Sequence, residues 1–295
     1  MAFTPLFRGA GCALVTPFTN GQVNVEQLRK LVNRQIEQGT AALVACGTTG
    51  EPATMTMEEK ELVIRETVAA TAGRVPVICG TGSNNTMAVI EAEKRFRDLG
   101  CAAQLVVTPY YNKTTQEGLY RHFMTIAENT ELPIILYNVP SRTNVDISAD
   151  TLRRLSACDR FIALKESSAQ INAVMAKMEA IEGKMALYSG SDDMVYPFLS
   201  IGADGVISVV SDVAPAEMAK VCSLYFEGKQ KESLKQQIRL LPLNNALFTE
   251  VSPIPCKYAM EKLGLCSGDL RLPLVEATDA TKAMMDKALA GLGLC

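Results

Sequence analysis

The amino-acid sequence predicts an α/β fold: a (β/α)8 TIM barrel followed by a small C-terminal all-helical appendage. Three observations carry this prediction. Apolar runs of strand length alternate with amphipathic segments of helix length through most of the chain. The runs are nearly continuous in apolar residues, as strands buried on both faces of a parallel sheet require. No glycine-rich dinucleotide fingerprint follows the first run, which disfavours an open doubly wound sheet. At 295 residues the chain suits one barrel of ~250 residues plus an extra piece.

The strands are expected at residues 12–18, 41–46, 75–80, 104–108, 133–138, 161–165, 186–189 and 205–210. Helices are expected between them at 25–38, 57–72, 86–99, 117–129, 149–157, 171–181 and 194–199, with 216–226 completing the eighth unit. Thr56 with Glu59, and Thr114 with Glu117, have capping-box spacing, and Asn24 with Gln27 is a weaker variant. Gly39, Gly73, Gly100 and Gly183 each stand where a left-handed residue would close a helix. Beyond residue 210 the strand signal stops. Gly228-Lys229-Gln230-Lys231 reads as a polar junction, and helices follow at 233–248, 257–263 and 277–290, punctuated by Pro253 and Pro255. The expected division is a catalytic barrel over 1–228 and a helical domain over 229–295.

Composition narrows the partners. Lysine plus arginine (29) and aspartate plus glutamate (32) are scattered, and the net charge of -3 carries no basic run, so nucleic acid and anionic membranes are not expected. The stretch Met1 to Gly9 lacks a basic segment leading into a long apolar one, and nothing later approaches membrane-spanning length. A soluble cytoplasmic protein is expected. None of the nine cysteines forms the two-residue-gap pair typical of zinc or redox sites, which points to reduced core thiols. The lone histidine, His122, lies in a helical pattern and reads as a helix-face residue.

In a barrel of this kind chemistry belongs at the C-terminal strand ends. The run Arg160-Phe161-Ile162-Ala163-Leu164-Lys165 ends on a lysine without any turn residue. Withdrawal from water disfavours a charged ammonium, and a neutral amine is a carbonyl nucleophile. A lysine that snorkels into water is the ordinary alternative, so the neighbouring strand ends decide. The second strand runs into Gly47-Thr48-Thr49-Gly50-Glu51, a glycine-flanked turn whose hydroxyls and N–H groups suit a carboxylate, although such turns are abundant. The fourth ends in Thr108-Pro109-Tyr110-Tyr111-Asn112 and the fifth in Tyr137-Asn138-Val139-Pro140-Ser141-Arg142. A tyrosine at a strand end is ordinarily a packing residue. Two strand ends bearing tyrosine, with an arginine and a lysine at the same mouth, form a more specific combination. Lys165 would form a Schiff base with a ketone, whose iminium is an electron sink for enamine formation. The Tyr137 phenol would transfer protons, and Arg142 would grip a carboxylate in two-pronged fashion. Tyr188-Ser189-Gly190-Ser191-Asp192-Asp193 and Gly205-Val206-Ile207-Ser208 would shape the floor.

These motifs, in this order and spacing, resemble those of the dihydrodipicolinate synthase (4-hydroxy-tetrahydrodipicolinate synthase) family, and the likeness extends to Pro253-Ile254-Pro255-Cys256-Lys257. The resemblance implies condensation of pyruvate with aspartate 4-semialdehyde on the way to diaminopimelate and lysine. It implies that Lys165 forms the Schiff base and that Tyr137, Thr48 and Tyr111 relay protons. It further implies that Thr49 binds the pyruvate carboxylate, Arg142 binds the semialdehyde carboxylate, and the carbonyls of Gly190 and Ile207 line the pocket. Tyr111 would enter from a neighbouring subunit, so a homotetramer built from two tight dimers is implied, with no metal or organic cofactor.

Two departures stand out. Asn144 occupies a usual glycine position, which asparagine tolerates at positive φ. Where lysine-inhibited relatives hold lysine, Asn84 and Tyr110 match, but Pro52, Met57, Lys60 and Ala88 replace a polar, imidazole and carboxylate set. Weak or absent lysine inhibition is expected. The alternatives are a sister pyruvate aldolase, such as N-acetylneuraminate lyase or a 2-keto-3-deoxy-sugar-acid aldolase, and a catalytically idle barrel. Arg142 favours the short semialdehyde over a polyhydroxylated chain.

Overall fold

The computed structural model describes residues 3–168 and 170–295. Met1 and Ala2, which begin the N-terminal stretch read above, and Ala169 lie outside them. The strands are β1 (Gly9–Ala13), β2 (Phe18–Thr19), β3 (Gln22–Val23), β4 (Ala42–Ala45), β5 (Val77–Gly80), β6 (Ala103–Val107), β7 (Ile134–Asn138), β8 (Phe161–Glu166), β9 (Ala186–Ser189) and β10 (Gly205–Ser208). β2 and β3 form a small antiparallel hairpin. The other eight are parallel and close in the order β1-β10-β9-β8-β7-β6-β5-β4, so the predicted barrel is the observed one.

The first strand is a correction. Expected at 12–18, it pairs at Gly9–Ala13, and Phe18 belongs to the hairpin. Leu14, Val15, Thr16 and Phe18 are all buried, so the apolar run marked burial and not pairing. The seam between β1 and β10 is tight: a Cβ on Gly205 would lie 1.9 Å from the Gly9 carbonyl oxygen, and one on Gly11 would lie 3.3 Å from the Val206 carbonyl oxygen.

The helices around the barrel are α1 (Val25–Glu37), α2 (Met57–Thr71), α3 (Thr86–Phe96), α4 (Gln116–Asn129), α5 (Pro140–Thr143), α6 (Ala149–Leu155), α7 (Ile171–Ile181), α8 (Val195–Ser200), α9 (Val210–Val213) and α10 (Pro215–Phe226). Thr56 and Glu59 make the reciprocal capping box, and the Asn24 side chain accepts from the Gln27 N–H. The cap of α4 is Thr115, not Thr114; it accepts from the Gly118 N–H, and Glu117 is left to pair with Arg121 at 2.9 Å. The tail holds α11 (Gln230–Leu247), α12 (Ile254–Lys262) and α13 (Asp279–Leu292). α11 starts inside the stretch read as a junction, and Pro255 lies in the first turn of α12, where its missing N–H costs nothing.

Alternation along the strands sorts side chains between lumen and helix layer. Ala42, Val44, Ile78, Leu105, Ile135, Tyr137, Ala163 and Ile207 fill the lumen. Phe7 stacks on Tyr188 with ring centres 4.2 Å apart and closes the N-terminal end. Val106, Leu136, Leu164 and Leu187 face the helices instead. Leu240, Leu243, Leu247, Met285 and Leu289 of the tail share one cluster with Ala10 and Val206 of the barrel. Seven of the nine cysteines are buried, and all nine are free.

Candidate active site

β7 and β8 pair so that Tyr137 stands opposite Lys165 and Asn138 opposite Glu166. The phase of β8 turns Lys165 to the lumen with Ala163, and only 5% of it is exposed. Its Nζ lies 4.3 Å from the centre of the Tyr137 ring, a cation–π contact. Gly190 packs flush against it: a Cβ there would meet Lys165 Cε at 3.0 Å and Cγ at 3.2 Å. The same Cβ would lie 2.0 Å from the Ser167 hydroxyl oxygen, so it is these two side chains, and not a left-handed turn, that favour glycine at 190. Ile207 is buried in the same lumen.

The opposite phase sends Asn138 and Glu166 outward, into a buried polar network. Asn138 Nδ2 donates to both Glu166 oxygens (3.0 and 2.8 Å) and to Asp146 Oδ1 (2.6 Å). Lys177 Nζ lies 2.8 Å from Glu166 and 2.6 Å from Asp146, and the Glu166 side chain is 0% exposed. The Ser168 N–H donates to Glu166, and the Ile147 N–H to Asn138. Each residue that follows a reactive candidate is thus fixed by several hydrogen bonds, which locks the strand ends bearing Tyr137 and Lys165.

Asp192 is buried beside the lumen and accepts from the N–H groups of Val209 (2.9 Å) and Val210 (3.3 Å). Burial pushes its carboxyl above the usual range, opposed by those hydrogen bonds and by the Lys165 ammonium.

Thr48, Thr49 and Gly50 form a 3₁₀ turn between Gly47 and the left-handed Glu51. Thr49 is buried and Thr48 exposed. Arg142 sits on α5, a single turn begun by Pro140 and closed by Asn144 at φ 55°, the positive φ expected of it. Its Nη2 donates to the Ser252 carbonyl (3.2 Å). A cavity of about 460 Å³ is lined by Thr48, Tyr137, Thr143 and Arg142 together with Met57, Lys60, Ala88 and Tyr110. Lys165, against the Tyr137 ring, is one side chain in from that wall.

Tyr111 is not brought to this site within the chain. It is 93% exposed and has a left-handed backbone (φ 68°). His122 is buried on α4 with Nδ1 2.9 Å from the Thr86 hydroxyl, and burial lowers its pKa to about 4. Among the described residues no cluster of three or more His, Cys, Asp or Glu is arranged to hold a metal ion. The outward network and the Glu51 contacts carry no motif of their own. The signal for the former was polar residues at 138 and 166, on strand faces otherwise occupied by Leu136 and Leu164.

The model of the family described as "Dihydrodipicolinate synthetase family" matches residues 6–291. The chain is similar to the 4-hydroxy-tetrahydrodipicolinate synthase of Clostridium novyi (strain NT), at 46% identity over 96% of each chain. The dihydrodipicolinate synthase of Thermotoga maritima superposes with a TM-score of 0.97 at 41% identity, covering 98% of this chain and 100% of that one. That of Acinetobacter baumannii, chloride-inhibited and complexed with pyruvate, superposes with a TM-score of 0.95 at 42% identity, covering 98% and 99%. With the family model and relatives of this identity spanning nearly its whole length, the chain belongs to the dihydrodipicolinate synthetase family.

Proposed function

We propose that the protein is a lyase that condenses pyruvate with L-aspartate 4-semialdehyde to 4-hydroxy-tetrahydrodipicolinate, a step toward diaminopimelate and lysine. The observation that carries this reading is the enclosure of Lys165 at the barrel mouth against the Tyr137 ring, with Thr48 and Arg142 on the adjoining cavity wall. The names of similar proteins support it.

Neutral Lys165 adds to C2 of pyruvate, and uptake of one proton with loss of one water leaves an iminium. The iminium accepts the electron pair freed when C3 loses a proton, and the resulting enamine carbon attacks the aldehyde of the second substrate. The new alkoxide takes up a proton. Attack of the semialdehyde's amine on C2 then closes the ring and releases Lys165. Tyr137, Thr48 and Tyr111 move the protons. Thr49 and its turn hold the pyruvate carboxylate, Arg142 holds that of the semialdehyde, and the carbonyls of Gly190 and Ile207 line the pocket. Side chains and backbone groups of the protein supply every group this scheme uses, so no metal or organic cofactor enters it.

The exposure and left-handed backbone of Tyr111 support its completing the site of a neighbouring copy, in a homotetramer of two tight dimers. The division into a barrel over 1–228 and a helical domain over 229–295 belongs to the same reading. No helix among the described residues is long and apolar enough to cross a membrane, and the net charge is -3. Action in the cytoplasm, without nucleic acid or membrane partners, accords with both. Steady-state kinetics test the reaction: turnover of pyruvate with aspartate 4-semialdehyde is expected, and turnover of N-acetylneuraminate or a 2-keto-3-deoxy-sugar acid in its place would overturn it. Sedimentation at assay concentration tests the assembly, since a fully active monomer would remove Tyr111 from the relay.

A further inference from the structure

The turn that carries Thr48 and Thr49 is held from outside the barrel. Glu51, which closes it, has a left-handed backbone (φ 54°, ψ 41°), a conformation that surrounding contacts must enforce in a non-glycine residue. Its carboxylate lies 2.6 Å from Lys257 Nζ, and the two side chains are 1% and 0% exposed. Lys257 also donates to the Asp269 carbonyl (2.7 Å) and lies 4.2 Å from the centre of the Phe18 ring. The Arg271 N–H donates to the other Glu51 oxygen (3.3 Å), and its guanidinium lies 4.3 Å from the same ring. That guanidinium pairs with Glu59 and donates to the Thr54 carbonyl. On the opposite flank the Thr16 hydroxyl donates to the Gly50 carbonyl (2.8 Å). The tail segment that supplies Lys257 and Arg271 also supplies the Ser252 carbonyl that receives Arg142.

We propose that the buried Glu51–Lys257 pair is a positioning device for the carboxylate-receiving turn. Through it, Lys257 and Arg271 of the helical tail set the affinity for the 2-oxo acid without lining the cavity that receives it. The inference rests on the function proposed above. Two physical points support it. A buried ion pair is weak in stability compared with an apolar replacement, yet its partners must meet in one geometry. N–H groups and hydroxyls serve an anion well only when they are preorganised, so a turn released from its anchor loses affinity before it loses chemistry. Glu51 also lines the cavity with Thr48 and Arg142. Without its cation it is free to turn toward the anion site and repel the substrate.

The test uses the full chain with Lys257→Met, and with the double variant Glu51→Gln/Lys257→Met, which removes both charges and so separates geometry from electrostatics. The pyruvate KM is expected to rise about tenfold or more in both, and kcat to fall by less than KM rises, since Thr48 of the proton relay rides on the same turn. Borohydride should still attach pyruvate to Lys165 at saturation. Leu289→Ala, in the core of the tail, is the control: it lowers the thermal midpoint and leaves KM alone. A double variant with the wild-type KM overturns the inference and leaves Lys257 a purely structural residue. Should the lysine variants not fold, the isosteric Glu51→Gln is read by the same criterion. Absence of a pyruvate adduct in the wild type would instead remove the proposed function itself.

Discussion

Replacing Gly190 by alanine puts a methyl carbon 3.0 Å from Cε and 3.2 Å from Cγ of Lys165, and 2.0 Å from the Ser167 hydroxyl oxygen. Gly190 is outside the left-handed region, so the backbone accepts alanine and the contact alone is perturbed. The Ser167 hydroxyl has no hydrogen-bond partner among the described residues and can rotate away. Lys165, enclosed in the lumen, cannot move as freely. Contacts of 3.0–3.2 Å are tighter than carbon atoms ordinarily make, so Cε must retreat by roughly a few tenths of an ångström. A misplacement of ~1 Å at a reacting group costs on the order of 100-fold. Gly190→Ala is therefore expected to slow Schiff-base formation by about 3- to 10-fold. The assay is the rate of borohydride-trapped pyruvate adduct in single turnover, with the urea midpoint as a check on folding. A folded variant that forms the adduct within about twofold of the wild-type rate would refute the packing argument.

Three further outcomes follow from buried charge and cavity chemistry. Lys177→Met strands Glu166, whose side chain is 0% exposed, without its cation. It should cost about 3–5 kcal/mol by urea unfolding, most of it recovered in Glu166→Gln/Lys177→Met; a loss below about 1 kcal/mol would contradict the network. Burial raises the Asp212 pKa from 3.8 to about 8, so between those values the folded chain holds a proton that the unfolded chain releases, and stability falls as pH rises across that window. Asp212→Asn keeps an acceptor for the Val15 N–H. It should gain on wild type by on the order of 1 kcal/mol per pH unit between pH 5 and pH 8, and a gap that does not change with pH would place the titration elsewhere. Lysine should inhibit weakly or not at all, because the cavity wall that includes Tyr110 also presents Lys60, Met57 and Ala88, with no carboxylate at position 88 for an ammonium. Strong inhibition in an initial-rate assay at sub-millimolar lysine would count against this.

Much of the architecture was legible because parallel strands buried on both faces leave continuous apolar runs, and seven of the eight expected strands overlap observed ones closely. The first failed for a physical reason. Gly9 pairs with a left-handed backbone (φ 118°) that favours glycine, and a Cβ on Gly11 would lie 3.1 Å from the Phe7 ring, while Leu14, Val15 and Thr16 are buried beyond the end of the strand. Lys165, Tyr137, Thr48 and Arg142 were legible because strand ends in a barrel converge. What holds them was not. Glu51 and Lys257 are 206 positions apart in the chain, and nothing local marks either as the other's partner. Gly190 was legible as a floor residue, but its contact with Lys165 belongs to two strands side by side. Thr114 was mistaken for a cap because Glu117 suited a capping box, whereas Thr115 has the nearer geometry to the Gly118 N–H.

The most direct test of the central claim is mass spectrometry of the wild-type protein after incubation with pyruvate and borohydride. One reductively coupled pyruvate per chain is expected, on the peptide that contains Lys165, and absent from Lys165→Ala. An unmodified chain, or an adduct confined to another lysine, would contradict the assignment of Lys165 as the nucleophile.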